Sequence, residues 1–195
     1  MFWIWRRIEM IVKRKAIVRR KTLEVDVTVI VDLDDSFERV DTGIPFFDHM
    51  LKTFARYAKI GLEVIARGDD EHHTIEDVAI AIGEAIKRAL GDKSGINRFG
   101  DAIVPMDDAL AICAVDISGR GYFVFEGGVG DSGIKFEDFI HFFDTLCRRG
   151  GINVHISVKG SNSHHMMEAC FKAFGLAFGK AKSFGGVESI KGVID

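Results

Sequence analysis

Six of the seven histidines in this chain recur at one fixed spacing, and that spacing constrains the fold more than any other feature. The pairs related by a shift of 92 residues are His49 with His141, His72 with His164, His73 with His165, and Glu76 with Glu168. Repetition at a constant period is the signature of a duplicated structural unit. The 195 residues therefore predict one domain, 1–195, made of two fused repeats of about 10–100 and 101–195.

Hydrophobic patterning predicts the same order of elements in the two halves. Alternating apolar residues indicate half-buried strands, and apolar residues at i, i+3, i+4 and i+7 indicate amphipathic helices. The strands are predicted at 22–31, 60–66, 109–118, 122–126 and 152–159, and the helices at 47–58, 75–90, 136–149 and 164–182. We therefore expect an α+β fold in which a ββαβα unit occurs twice, related by a pseudo-twofold axis.

The charge balance argues against binding to nucleic acid or to an anionic membrane. Lysine and arginine number 26 against 29 aspartates and glutamates, for a net charge of −3, whereas nucleic-acid-binding proteins present a basic surface. No apolar segment of the sequence is long enough to form a transmembrane helix, so a cytoplasmic protein is expected. The three cysteines are odd in number and widely spaced, which favours reduced core residues.

The sequence His-His-x-x-Glu occurs once in each half, at the predicted start of a helix. Residues four apart share a helix face, so His72 with Glu76 and His164 with Glu168 can each hold one metal ion. His73 and His165 point about 100° away and would serve a second ion or a substrate. Imidazole and carboxylate donors suit manganese, iron or zinc. The alternative is that the histidines cap helices or lie on the surface, but two matched motifs favour two similar metal sites.

Other charged residues near the motifs have ordinary structural interpretations. Asp48 and Asp144 are expected to cap or pair locally rather than to catalyse. Lys172 lies four residues after Glu168 and is expected to form an ion pair with it.

In its motifs the chain resembles the imidazoleglycerol-phosphate dehydratase family, over residues from about Arg14 to Gly192. The matching segments are 42–51 (TGIPFFDHML), 72–77 (HHTIED), 95–100 (GINRFG), 105–110 (PMDDAL), 116–120 (DISGR), 141–143 (HFF) and 164–173.

The resemblance implies a duplicated fold like that of ribosomal protein S5 domain 2, with helices sandwiched between two β-sheets. It also implies two Mn²⁺ ions per active site, ligands shared between subunits, and a 24-subunit assembly built from trimers. The implied metal ligands are His49, His72, His73, Glu76, His141, His164, His165 and Glu168. The residues that would bind the substrate and its phosphate are Glu24, Arg98, Arg120, Ser189 and Lys191, and the candidate catalytic residues are Glu24, Glu76, Glu168 and Lys172.

The chain departs from the family pattern near the first motif, where the stretch before Asp70 is about three residues shorter than usual. The tyrosine and alanine at 57–58 replace the usual His-Gly, and 188–191 reads ESIK instead of Pro-Ser-Thr-Lys. Every expected ligand survives these changes, so the differences concern loop geometry and subunit contacts.

The implied activity is a lyase reaction of histidine biosynthesis, which dehydrates imidazole glycerol phosphate to imidazole acetol phosphate. The proton that leaves is bound to carbon and is not acidic, so a carboxylate within reach is needed to accept it. Glu24 is the first candidate, because metal ligation would occupy Glu76 and Glu168. The alternative is a non-catalytic metal-binding cage or an S5-like RNA-binding module.

Overall fold

The computed structural model describes residues 13–185. The first half contains four strands and two helices: β1 (Lys15–Lys21), β2 (Val25–Asp32), β3 (Phe37–Asp41), α1 (Pro45–Ala58), β4 (Gly61–Gly68) and α2 (Glu71–Leu90). The second half repeats the order: β5 (Phe99–Met106), β6 (Ala109–Asp116), β7 (Tyr122–Glu126), α3 (Phe136–Gly150), β8 (Asn153–Lys159) and α4 (Ser163–Lys182). The α+β duplication is confirmed, and each half carries one strand more than a ββαβα unit.

Each half forms a four-stranded sheet, with the strand orders β1-β2-β4-β3 and β5-β6-β8-β7. The first three strands of each sheet are antiparallel, and the fourth, β3 or β7, runs parallel to its neighbour. Val25, Val27, Val29 and Val31 of β2 are buried because alternate side chains of a strand point to the same face. One face of each sheet is therefore available to pack on the helices.

The repeat spacing is 92 residues only from the first helix of each half onward. Strand β6 follows β2 by 84 residues, whereas α4 follows α2 by 92. Six of the eight additional residues lie in one connection, since three residues, 42–44, join β3 to α1, whereas nine residues, 127–135, join β7 to α3. The second repeat therefore has a longer connection on the path into α3.

Two glycines at equivalent positions let helices from different halves approach closely. A Cβ atom on Gly83 of α2 would lie 2.8 Å from the carbonyl oxygen of Leu146 in α3, and one on Gly175 of α4 would lie 2.8 Å from that of Phe54 in α1. Leu146 and Phe54 are themselves 92 residues apart. The helices thus form one layer. The contact of α2 with α3 matches the contact of α4 with α1, as a pseudo-twofold axis requires.

Phenylalanine rings fill much of the space between these helices. Phe54 stacks on Phe174 with ring centroids 4.8 Å apart, and Phe143 lies 5.0 Å from Phe171. Cys113, Cys147 and Cys170 are buried and unpaired, which confirms their expected reduced state. Within residues 13–185, no helix has the length and apolar character needed to span a bilayer.

Candidate metal centre

Both histidine pairs lie in the first turn of a capped helix. The Asp70 carboxylate accepts a hydrogen bond from the backbone N–H of His73 at 2.7 Å, and the Asn162 side chain accepts one from His165 N–H at 3.2 Å. Asp70 and Asn162 are again 92 residues apart. Such caps stabilise the first turn, so each cap fixes where its histidine pair projects from the helix.

The first group of candidate ligands consists of His72, Glu76 and His141. One potential ligand atom from each lies within 4.8 Å of the others, and His141 Nε2 is 3.5 Å from Glu76 Oε1. The His72 and His141 rings stack with centroids 5.2 Å apart. Nδ1 of His72 contacts Asp138 Oδ1 at 2.6 Å, which leaves Nε2 of His72 available to an ion.

The second group consists of His49, His164 and Glu168. Nε2 of His49 and Nε2 of His164 each lie 3.4 Å from the same oxygen, Oε2 of Glu168. The other oxygen, Oε1, lies 3.0 Å from the Lys172 ammonium, so the predicted ion pair is present. Burial would raise the pKa of Glu168, but Lys172 and His49 outweigh it and lower the pKa below its usual value.

Each group takes two residues from one half of the chain and one histidine from the other. His141 of α3 joins His72 and Glu76 of α2, while His49 of α1 joins His164 and Glu168 of α4. This exchange follows from the helix crossings, because α3 packs on α2 and α1 packs on α4. The six residues therefore form two groups related by the same pseudo-twofold axis as the fold.

The surroundings of the two groups are different. Beside His72 lies the carboxylate of Asp138, whereas the residue 92 positions earlier, Phe46, packs edge-on against the ring of His164 at 5.3 Å. Lys172 contacts Glu168, whereas the position equivalent to Lys172 in the first half is Ile80.

The second histidine of each pair lies outside both groups and contacts carboxylates. His73 Nδ1 is 2.9 Å from Asp69 Oδ1, and that contact raises the pKa of His73. His165 Nδ1 is 2.6 Å from Asp108 Oδ1, and hydrogen bonds from His165 and Ser161 lower the pKa of Asp108. Within this chain His73 and His165 therefore take no part in the two groups.

Glu24 lies near the first motif but apart from the first group. Its carboxylate is 57% exposed, and Oε2 lies 4.0 Å from His73 Nδ1. Asp48 accepts hydrogen bonds from the backbone and hydroxyl of Thr42, and Asp144 pairs with Arg148. The local roles expected for Asp48 and Asp144 are confirmed.

Arg98 and Arg120 lie at the far end of the helices from both groups. Arg98 N–H donates to the carbonyl of Ala181 at 2.9 Å, and thirteen helical residues from Glu168 to Ala181 span about 20 Å. The Arg98 guanidinium pairs with Asp116 at 2.7 Å, whereas the side chain of Arg120 is exposed. Ser189 and Lys191 lie outside the described residues. A single chain therefore does not bring the expected phosphate-binding arginines to the histidines.

Sequence reasoning missed three carboxylates that contact histidine rings: Asp69, Asp108 and Asp138. Asp138 was not singled out, because it is 66 residues from His72 in the chain. The available signal was its place one turn before His141 on the same face of α3.

The donor set is suited to a divalent transition metal. Each group offers two imidazole nitrogens and one carboxylate, the combination that binds manganese, iron or zinc. Nε2 of His141 is buried and has no hydrogen-bond partner among the described residues. Such orphaned atoms are rare in folded proteins, and a bound cation would satisfy this one.

Comparison with known proteins gives one consistent result. The sequence model of the imidazoleglycerol-phosphate dehydratase family matches residues 42–178. The chain is 56% identical to the imidazoleglycerol-phosphate dehydratase of Archaeoglobus fulgidus, over 90% of this chain and 97% of the relative. It is 50% identical to that of Methanoculleus marisnigri, over 92% and 98%.

Solved structures agree with the sequence matches. The imidazoleglycerol-phosphate dehydratase of Pyrococcus furiosus superimposes with a TM-score of 0.80 at 36% identity, covering 90% of this chain and 99% of that one. The enzyme from Staphylococcus aureus also gives a TM-score of 0.80, at 32% identity, covering 88% and 99%.

Proposed function

Since this chain belongs to the imidazoleglycerol-phosphate dehydratase family, a family of hydro-lyases of histidine biosynthesis, we propose that it dehydrates imidazole glycerol phosphate with two manganese ions per active site. The observation that carries the metal proposal is the pair of matched groups, each with two imidazoles and one carboxylate.

The residues present fit such ions. His72, Glu76 and His141 would hold one ion, and His49, His164 and Glu168 would hold the other. The buried Nε2 of His141, which has no hydrogen-bond partner within 13–185, supports this assignment. When bound, manganese supplies Lewis-acid chemistry toward the imidazole ring of the substrate.

Proton transfer requires a group that ligation does not occupy. Glu24 is exposed and lies beside His73 without belonging to either group. We therefore propose that Glu24 accepts the carbon-bound proton of the substrate. A carboxylate that accepts this proton can return it to carbon when the enol rearranges to the ketone, while the proton of the enol hydroxyl leaves with the expelled hydroxide as water. Glu76, Glu168 and Lys172 would instead bind or orient groups at the reacting centre.

We infer that a neighbouring copy of the chain completes each site. Two features support this inference: His73 and His165 contact carboxylates outside the groups of their own chain, and Arg98 lies about 20 Å along α4 from Glu168. If His73 and His165 complete groups on other copies, all eight candidate ligands are used. An assembly of trimers into a 24-subunit particle is the proposed arrangement.

The phosphate of the substrate would then be bound by residues from a different copy. Arg98 and Arg120 lie in neighbouring segments, because Ile117 N–H donates to the Arg98 carbonyl and Arg120 is three residues after Ile117. Guanidinium groups bind phosphate through paired hydrogen bonds. Ser189 and Lys191 are proposed to join them.

A dehydratase assay on metal-stripped protein tests the proposal. We expect no product from imidazole glycerol phosphate after chelation, and recovery of product formation when manganese is added. Native mass spectrometry on the same samples would report the assembly. Protein that binds manganese but forms no product would instead favour a non-catalytic metal-binding cage.

A further inference from the structure

The two ligand groups match in their ligands but differ in the charges that touch them. Besides Glu76, the first group contacts the carboxylate of Asp138 through His72. The carboxylate of the second group, Glu168, contacts the ammonium of Lys172. With neutral imidazoles, two negative charges surround the first group, whereas the charges around the second group cancel.

Asp138 is built into the protein rather than lying at its surface. Its side chain is only 3% exposed, and its Oδ1 lies 2.6 Å from His72 Nδ1. A carboxylate at this distance accepts a hydrogen bond from Nδ1–H, which fixes the tautomer and orientation in which Nε2 is the metal-binding atom. At the equivalent place beside His164, the Phe46 ring provides a packing contact and cannot accept a proton.

Lys172 acts in the opposite direction at the second group. Its ammonium lies 3.0 Å from Glu168 Oε1, and its side chain is only 19% exposed. A cation approaching Glu168 must share that carboxylate with Lys172 and is repelled by its charge. At the equivalent position beside the first group the chain has an isoleucine, Ile80, which carries no charge.

We propose that the His72–Glu76–His141 group binds its divalent cation more tightly than the His49–His164–Glu168 group, with Asp138 as the positioning residue that holds His72 for the first ion. This proposal rests on the proposed di-metal function and adds an order of filling. The ion in the His49–His164–Glu168 group is therefore the one that dissociates first when divalent metal is scarce.

A manganese titration of chelator-treated, full-length protein tests the order of filling. The electron paramagnetic resonance signal of free aqueous Mn²⁺ reports how much metal remains unbound at each addition. We expect one ion per chain to bind at least about tenfold more tightly than the next, a difference typical of one altered outer-shell contact. Two ions bound with a single affinity would overturn the proposal, whereas failure to bind any Mn²⁺ would overturn the di-metal function itself.

Two variants assign the steps of the titration. Asp138→Asn should weaken the tight step by about 10–100-fold and leave the weak step in place. Glu137→Gln is the matched control, because Glu137 is exposed and occupies the same first turn of α3. This substitution removes the same charge from the helix terminus. Equal weakening by both variants would mean that Asp138 acts only on the helix dipole and would contradict its positioning role.

Lys172→Met provides an independent test at the other group. Removal of the ammonium should tighten the weak step by about tenfold or more and bring the two affinities closer together. Unchanged affinity for the second ion would contradict the role given to Lys172. Because this variant leaves α3 intact, it tests the proposal even if Asp138→Asn fails to fold.

Discussion

Nε2 of His141 lies 3.5 Å from the carboxylate of Glu76, although the two residues are in opposite halves of the chain. The equivalent pair, His49 and Glu168, is 3.4 Å apart. The duplication is thus expressed in the chemistry of the site as well as in the fold, since each half supplies one histidine to the ligand group of the other.

His141→Ala should remove one of the two ions from each chain. Of the donors that this chain supplies to the group, only His72 and Glu76 would remain, and activity should fall more than about a hundredfold because even an outer-shell partner is worth about 10–100-fold. Elemental analysis and the dehydratase assay measure the two effects. His155→Ala, at an exposed position of β8, should change neither, and a His141→Ala protein that keeps both ions would refute the ligand assignment.

Glu24→Gln should abolish turnover and leave the metal content near that of the unchanged protein. The amide keeps the size of the side chain but cannot accept a proton, and general acid–base catalysis contributes about 10²–10⁴-fold. Steady-state kinetics with elemental analysis measures both quantities. Glu126→Gln, at the exposed end of β7, is the control, and normal turnover by Glu24→Gln would exclude Glu24 as the proton-transfer group.

Gly83→Ala should destabilise the fold by about 1–3 kcal/mol, the usual cost of overpacking. The added methyl would lie 2.7 Å from Arg149 Cβ and 2.8 Å from the Leu146 carbonyl, which is backbone and cannot move aside easily. Gly150→Ala is the matched control on the facing helix, because its Cβ would meet nothing closer than 3.6 Å. Denaturant unfolding should separate the two variants, and equal stability would contradict the close crossing.

Asp34→Asn should reduce stability at neutral pH by less than about 1 kcal/mol, as expected for an exposed pair. The Arg14 side chain donates to Asp34 at 3.1 Å and to the Lys182 carbonyl at 2.6 Å, and the hydrogen bond from Arg14 lowers the pKa of Asp34.

The lowered pKa fixes the pH dependence of this effect. The stabilisation is present above the unfolded pKa of about 3.9 and is lost as the pH falls through the lower folded pKa. Thermal unfolding of both proteins from pH 7 to pH 2 should therefore show a difference that disappears in acid. Asp35→Asn, which removes a carboxylate hydrogen-bonded to its neighbour Ser36, should show a smaller change. A difference that grows in acid would contradict the role given to Arg14.

The sequence predicted the helices well because their apolar positions repeat over several turns. The prediction for α2 even included its end, where Gly91 occupies the C-cap. Strands β1, β3 and β5 were missed for physical reasons. Strand β1 lies at a sheet edge and buries only Ala16 and Val18, and four of its seven residues are lysine or arginine. Strand β3 buries only Val40 and lies at a sheet edge, while β5 contains Pro105, which an edge strand tolerates.

The ligand groups were accessible to sequence reasoning only in part. The four-residue spacing placed His72 with Glu76 on one helix face, as observed. Neither spacing nor composition could show that His141 joins them, because that contact depends on how α3 crosses α2. The contact between Asp138 and His72 depends on the same crossing, so the asymmetry between the groups became visible only in three dimensions.

The exchange of histidines between halves also bears on the origin of the protein. A single ancestral unit of this kind could not have assembled either ligand group alone, since His49 reaches Glu168 and His141 reaches Glu76. Two identical copies paired about a twofold axis would have formed two identical groups. In one continuous chain the two halves need not be identical, so Asp138 lies beside the first group and Lys172 beside the second, with Phe46 and Ile80 at the equivalent positions.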